Sequence, residues 1–286
     1  MQRVGEHPVP AGPLAVRWRG WELREPPRAG KLTYADVALE NAGATAWRGI
    51  ELSYHWLDDR GNAIVWGERW TPVQRAVEPG GTLEQQVELR GPLGSGRYRL
   101  AFDLVEEGRY WFSELGNARL ELDVDVQPRI ARRALAVVFT PGPSELVAQS
   151  HKALDAQEEP LVPRGEEEAL GHLAPGCLPA PEWSRRVLDA HEHGYAVVAG
   201  SIEAAGRGSL RSKAKRSLAP WAPGTGRVPN FAHPLLCPSL IHGSEPSWQW
   251  SEIEGLPALA QPRSEPWLYD GRIVVRARLR SDRRRA

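Results

Sequence analysis

The stretch from Gly96 to Val126 constrains this chain more than any other. Tyr98, Leu100 and Phe102 alternate with Arg97, Arg99 and Ala101, and a period of two makes a strand with one buried face. Leu120, Leu122, Val124 and Val126 alternate with Glu121, Asp123 and Asp125 in a second strand of the same kind. Gly108, the Tyr110-Trp111-Phe112 cluster and Gly116-Asn117 lie between them and predict a long connection pinned by aromatics. The pair reads as the closing hairpin of a small β-sandwich.

The upstream chain repeats the theme. Met1 to Pro13 is polar and rich in Pro and Gly, which predicts a disordered leader over residues 1–13. Strands follow at Leu14–Trp21, Leu32–Leu39, Ile50–Leu57, Ile64–Trp70 and around Leu83, Val87 and Leu89. In the second of these, Leu32 and Tyr34 and then Val37 and Leu39 point to changing faces. Pro26-Pro27, Asn41-Ala42-Gly43, Asp58-Asp59-Arg60-Gly61-Asn62 and Glu78-Pro79-Gly80-Gly81 supply the turns. Short strands with turns at this spacing predict an antiparallel sandwich of immunoglobulin type over residues 14–128. Trp56 and Trp111 read as core, because an indole is costly to leave in water. Trp66 and Trp70 flank Glu68 and Arg69 on an edge. They admit a second reading, an aromatic platform on one sheet face for sugar rings.

The segments NAGATAW, LSYHWLDDRGNAIVW, EPGGTLEQQVEL and GRYRLAFDLVEEGRYWFSELG resemble the four-tryptophan immunoglobulin-like domain. That domain is known from autophagy cargo receptors and from bacterial envelope and glycan-handling proteins. The resemblance spans about residues 14–128 and implies a non-catalytic binding or spacing module.

The second half has another rhythm. Ala134–Phe139 and Tyr195–Ile202 are continuous apolar runs, which predict buried parallel strands. Helices are predicted at Glu145–Gln157, with Ser144 as cap, and at Trp183–His193, stopped by Gly194. Short strands are expected at Pro160–Val162, Ala169–Leu173 and Arg272–Leu279. The pattern is α/β over residues 129–279, with a basic tail at 280–286. HLAPGCLPAPEWSRRVLDAHEHGYAVVAGSI resembles the nucleotide-sugar-binding half of family-2-type glycosyltransferases of the GT-A fold, so the resemblance implies a reduced GT-A or Rossmann-like domain. No acidic pair stands at Ala174-Pro175-Gly176-Cys177, where that family holds its metal, so Mg²⁺ or Mn²⁺ has nothing to grip against a diphosphate.

Composition narrows the rest. Lys plus Arg and Asp plus Glu both total 36 in 286 residues, so no overall field favours nucleic acid or an anionic surface. No apolar run has the roughly 18 residues needed to span a bilayer, and the N-terminus lacks a signal-peptide layout. Cys177 and Cys237 suit a reducing compartment. The expectation is a cytoplasmic protein, with association with the inner face of the membrane left open. His172, Cys177, His191 and His193 are the best zinc candidates, but His191 and His193 are two apart on a helix and face different ways, so no metal ligand is assigned. Cys177 or Cys237 with His233 or His172 lacks a nucleophile signature, and Asp103, Glu106 and Glu107, which could serve as paired carboxylates, sit in the closing hairpin, where surface charge or a salt bridge is the commoner reason for them. No catalytic residue is assigned.

Candidate ligand-binding residues are Trp66 and Trp70, and a basic patch containing Arg211, Lys213 and Arg216 that is either a wet helix face or a phosphate-binding surface. The first expectation is a non-catalytic protein of a bacterial cell-envelope polysaccharide system. It would bind a glycan or an envelope-biosynthesis partner, carry a degenerate transferase-like second domain and need no cofactor. An active nucleotide-sugar-dependent glycosyltransferase, using Mn²⁺ or Mg²⁺ and acids such as Glu166 to Glu168, is the alternative. A protein-interaction adaptor is the third reading.

Overall fold

Alternation written into the first 128 residues becomes two antiparallel sheets with one core between them. The computed structural model describes residues 1–106, 108–139, 143–204, 239–241, 250–253, 256–259 and 265–277, with backbone alone at 201–204, 250–253, 256–259, 269 and 277. The chain divides into two units, Met1–Pro128 and Arg129–Ala286.

In the first unit, one sheet has the order β1-β2-β3-β6, from β1 (Gln2–Arg3), β2 (Val16–Leu23), β3 (Leu32–Asn41) and β6 (Thr82–Arg90). The other has β5 (Ala63–Pro72), β4 (Ile50–Leu57), β7 (Gly96–Glu106) and β8 (Tyr110–Trp111) in that order, with β9 (Leu120–Val126) also on β7. The two inner faces share a core in which Trp18, Trp47, Trp56, Tyr54, Phe102 and Phe112 are fully buried. This is an immunoglobulin-like β-sandwich, with β2 paired to β3 in one sheet and β4 paired to β7 in the other.

Two expectations change here. Gln2 and Arg3 pair with Trp21 and Gly20, so the leader expected at 1–13 contributes a short edge strand. β3 keeps one alternation throughout: Thr33, Ala35, Val37 and Leu39 face inward, while Tyr34 is exposed. The inward phase carries a polar Thr33 and a small Ala35, so the apolar pattern alone does not reveal it.

The second unit centres on a mixed six-stranded sheet, order β10-β11-β14-β13-β17-β12. Its strands are β10 (Leu135–Phe139), β11 (Ala169–Leu173), β12 (Cys177–Pro179), β13 (Val197–Ala204), β14 (Ser239–Ile241) and β17 (Trp267–Ala277). The helices are α1 (Ser144–Leu154) and α2 (Trp183–His193), and β15 (Trp250–Ile253) pairs with β16 (Leu256–Leu259) in a two-stranded sheet. β10 runs parallel to β11 and β13 parallel to β17, as continuous apolar runs imply. β14 is antiparallel to both β11 and β13, and β12 to β17, so the sheet departs from the single-direction sheet of a doubly wound nucleotide-binding fold. Pro160–Val162 forms no strand, although Val162 N–H donates to the Leu135 carbonyl. Ser144 lies inside α1 rather than capping it; the cap position is Pro143, which has no side-chain hydrogen bond to give. Gly194 ends α2 at φ 124°, as its position suggested.

Candidate functional site

A central strand of a sandwich ordinarily buries one face, but β4 is buried on both. Its inner residues Leu52, Tyr54 and Trp56 enter the core, and its outer residues Ser53 and His55 are also fully buried. A second, small aromatic layer covers them. His55 lies face to face with Trp66, ring centroids 3.7 Å apart and planes 16° apart. Trp111 meets His55 edge-on at 4.7 Å, Trp66 at 5.8 Å and Trp70 at 6.0 Å. The Arg119 guanidinium lies 5.8 Å from the Trp66 ring centre, within range of a cation–π contact. Trp66 remains 49% exposed and Trp70 39%.

Three local features build this layer. The first is a bulge in β5. His55 pairs with Trp66 and Ser53 with Trp70, so two residues of β4 face four of β5. The bulge sets both indoles on neighbouring positions of one face and aims them outward. Gly67 makes it possible. Its φ is +63°, and a Cβ there would lie 3.1 Å from the Trp111 ring. Its carbonyl accepts the Trp70 indole N–H at 2.7 Å.

The second feature is the split at Trp111-Phe112. Phe112 turns into the core, edge-on to Trp47 at 5.8 Å, and Trp111 turns outward. Trp111 is expected in the core; it is half-buried in the outer layer at the end of β8, and Phe112, which opens the short 3-10 helix Phe112–Leu115, takes the core place.

The third is Asp103 on β7, buried to 1%. Its Oδ1 accepts the Leu104 N–H at 2.8 Å and the Ser113 N–H at 3.3 Å, which ties the turn after Trp111 to the sheet. Burial pushes the Asp103 carboxyl up to about 6, against the pull of Ser113, Leu104 and Arg119. Burial pushes the His55 imidazole down to about 4, and Arg119 adds to the push. Asp103 therefore departs from the surface carboxylate the sequence suggested, while Glu106 is one, paired with Arg109 and the Tyr110 hydroxyl.

Nothing in the sequence pattern picks out His55. It stands in the outward phase of an alternating strand, where a polar residue is ordinarily wet. Gly67 inside a strand was the available signal for a bulge.

The other candidates fall elsewhere. Arg211, Lys213 and Arg216 lie outside the described residues, as do His233 and Cys237 and the basic tail. His191 is fully buried. Its Nδ1 lies 2.8 Å from the Tyr195 carbonyl, which can only accept, so Nδ1 carries the proton and Nε2 accepts the Ser239 hydroxyl at 2.9 Å. Burial holds that imidazole near 4, and the pair pins β14 to α2. Cys177 is buried in β12 and His193 is exposed. Among the described residues no group of three or more His, Cys, Asp or Glu side chains could hold a metal ion. Glu167 and Glu168 pair with Arg164 and Arg132. No helix among the described residues is long and apolar enough to cross a membrane.

No family model matches the chain, and no curated protein does. Among solved structures, it is similar to the C-terminal domain of Wzt, at 10% identity over 43% of this chain and 77% of that one, with a TM-score of 0.31. It is similar to a CARDB domain from Pyrococcus furiosus at 16% identity, over 37% of this chain and 83% of that one, with a TM-score of 0.25. A β-glucosidase from Listeria innocua matches at 12% identity over 39% of this chain and 16% of that one, with a TM-score of 0.26. Fold and site together define an immunoglobulin-like sandwich with an aromatic outer face.

Proposed function

We propose that this is a non-catalytic binding protein whose sandwich takes a carbohydrate on the face formed by Trp66, Trp70 and Trp111. The carrying observation is that two half-exposed indoles are set side by side by a backbone bulge rather than scattered. Large aromatic side chains on a surface cost free energy unless a partner covers them. A pyranose ring presents a flat array of C–H groups to an indole face and hydroxyls to its rim. Arg119 and the backbone around Gly67 supply polar groups beside the rings. The resemblance to the four-tryptophan domain supports the same reading and the setting it implies, a bacterial cell-envelope polysaccharide system. The second unit is read as a scaffold.

The test is a titration of the full chain with a panel of soluble polysaccharides, followed by tryptophan emission and calorimetry. Saturable binding that weakens roughly tenfold or more in Trp66→Ala, an effect of about 1.4 kcal/mol, supports the reading. Binding that is unaltered in both Trp66→Ala and Trp70→Ala moves the site elsewhere. If no glycan binds but a protein partner is captured through this face, the adaptor reading replaces it.

A further inference from the structure

His55 is the one member of the aromatic layer whose chemistry the binding face does not use. It is fully buried, and neither ring nitrogen has a hydrogen-bond partner among the described residues. A phenyl ring would fill the same space without two stranded polar atoms, whose burial is costly. Trp66 stacks flat on it while remaining half-exposed, so this indole lies between the imidazole and water. Trp111 stands against it edge-on.

We propose that Trp66 is a lid and His55 a proton-sensitive latch beneath it: protonation of the imidazole makes the dry position untenable, and the indole swings out to let water in. The groups around the latch favour this outcome. From β4 itself, Glu51 shares the outer face two rungs away. From β7, Asp103 lies diagonally across on that face, opposite Ser53. From the segment entering β9 comes Arg119, which pairs with Glu121 at 3.4 Å. β8 brings Tyr110, whose hydroxyl is held by Glu106. On β5, Glu68 turns to Arg90 and Arg69 to Glu88.

Asp103 is the carboxylate buried with the latch, yet it takes up its proton near pH 6, before His55 takes one near 4. By the time the imidazole charges, that carboxylate is neutral, whereas Arg119 is still positive. Stacking of an imidazolium on an indole acts in the other direction. An imidazolium with two unpaired N–H groups still needs water, and displacement of Trp66, the half-exposed ring stacked on it, supplies it.

The test needs no ligand and is independent of the carbohydrate reading. The full chain is labelled with 5-fluorotryptophan, and the Trp66 fluorine and His55 ring protons are followed by NMR against pH. The signals are assigned by their loss in Trp66→Phe and His55→Phe. The expected result is a common midpoint below about pH 5 for both signals, while far-ultraviolet circular dichroism stays flat. His55→Phe should abolish the fluorine transition. Trp66→Ala, or Trp66→Leu if the first does not fold, should raise the His55 midpoint by about two pH units, towards the ordinary histidine value of roughly 6.5. Three results each overturn the proposal: His55 titrating near that value in the intact protein, a fluorine transition that survives in His55→Phe, or a transition coincident with global unfolding.

Discussion

Asp103→Asn tests the electrostatics under the aromatic layer. In the folded protein the Asp103 carboxyl is raised from 3.8 to about 6, so the native state holds its proton more tightly than the unfolded chain. Stability from this group is therefore full below about pH 4 and is lost as pH rises through 6. A shift of about two units corresponds to about 3 kcal/mol. His55 acts with the opposite sign. Its folded value is lowered from 6.5 to about 4, so stability is present above 6.5 and lost as pH falls towards 4, again by about 3 kcal/mol. Between pH 4 and 6 the two slopes nearly cancel. The wild-type sandwich should show little pH dependence there.

Asp103→Asn keeps an oxygen for the Leu104 and Ser113 N–H groups and removes the charge. Near pH 4 the variant should match wild type. At pH 7.5 it should be more stable, by about 1–3 kcal/mol after allowance for weaker hydrogen bonds to a neutral acceptor. Its stability should then fall on acidification, exposing the His55 slope. Urea melts of the full chain at pH 4.5, 6 and 7.5, following the sandwich transition, measure this directly. Equal destabilisation at every pH would refute the reasoning, because it would mean that Asp103 acts only through hydrogen-bond geometry.

Two further perturbations separate backbone from side-chain effects. Gly67→Ala must place an alanine at φ +63° and press its Cβ against Trp111, whereas Gly61→Ala meets the same kind of backbone at φ +83° with open space around it. Both should lose about 1 kcal/mol from the left-handed backbone, and only Gly67→Ala should also alter the near-ultraviolet circular dichroism of the indoles; identical spectra would deny the contact. In the second unit, Arg129 Nη2 and Glu265 Oε2 pair at 2.7 Å with both side chains 4% exposed. Arg129→Met should cost about 3–5 kcal/mol by leaving the Glu265 charge buried without that partner, and adding Glu265→Gln should restore much of it. A double variant no better than the single would show that the pair matters for packing rather than charge.

Where the sequence was legible, one face of each element met water and the other the core. β4 and β9 were read with the bounds the structure gives them, Ile50–Leu57 and Leu120–Val126, because alternation and turn residues agree there. α2 was read whole because Trp183, Val187 and Leu188 repeat at helical spacing and Gly194 closes it. Legibility failed where a residue answers to a second layer. His55 and Ser53 stand in the outward phase of β4, and only the rings of β5 and β8 make that phase dry. Trp111 was read as core because burial of an indole is the common case, and Phe112 takes the core place instead. In the second unit, β12 at Cys177–Pro179 is three residues ending in a proline, and it pairs with the edge that β17 offers at Val275–Ala277. β17 bulges beside β13 at Gly200, where an added Cβ would fall 1.8 Å from the Ile273 carbonyl oxygen. Such pairings are settled by neighbours distant in sequence, so local pattern does not reveal them.

The outer aromatic layer adds nothing to the contact between the two sheets, which is already made by Trp18, Trp47, Trp56 and their neighbours. Its members nevertheless depend on three separate devices: a bulge at Gly67, a carboxylate tether at Asp103 and a buried imidazole under Trp66. Each is locally unfavourable, through a left-handed backbone, a desolvated acid and two unpaired ring nitrogens respectively. A sheet face whose only task is solvation needs none of them, since alternating charged residues serve at lower cost, as Arg99, Glu121 and Asp123 do beside it. If the face takes a carbohydrate as proposed, rings held in fixed relation beforehand lose little freedom on binding, and the three devices together would supply that preorganisation. The lid proposal marks the limit of that order: Trp66 rests on the unsatisfied imidazole, and on that proposal it is held in place only while the imidazole is neutral.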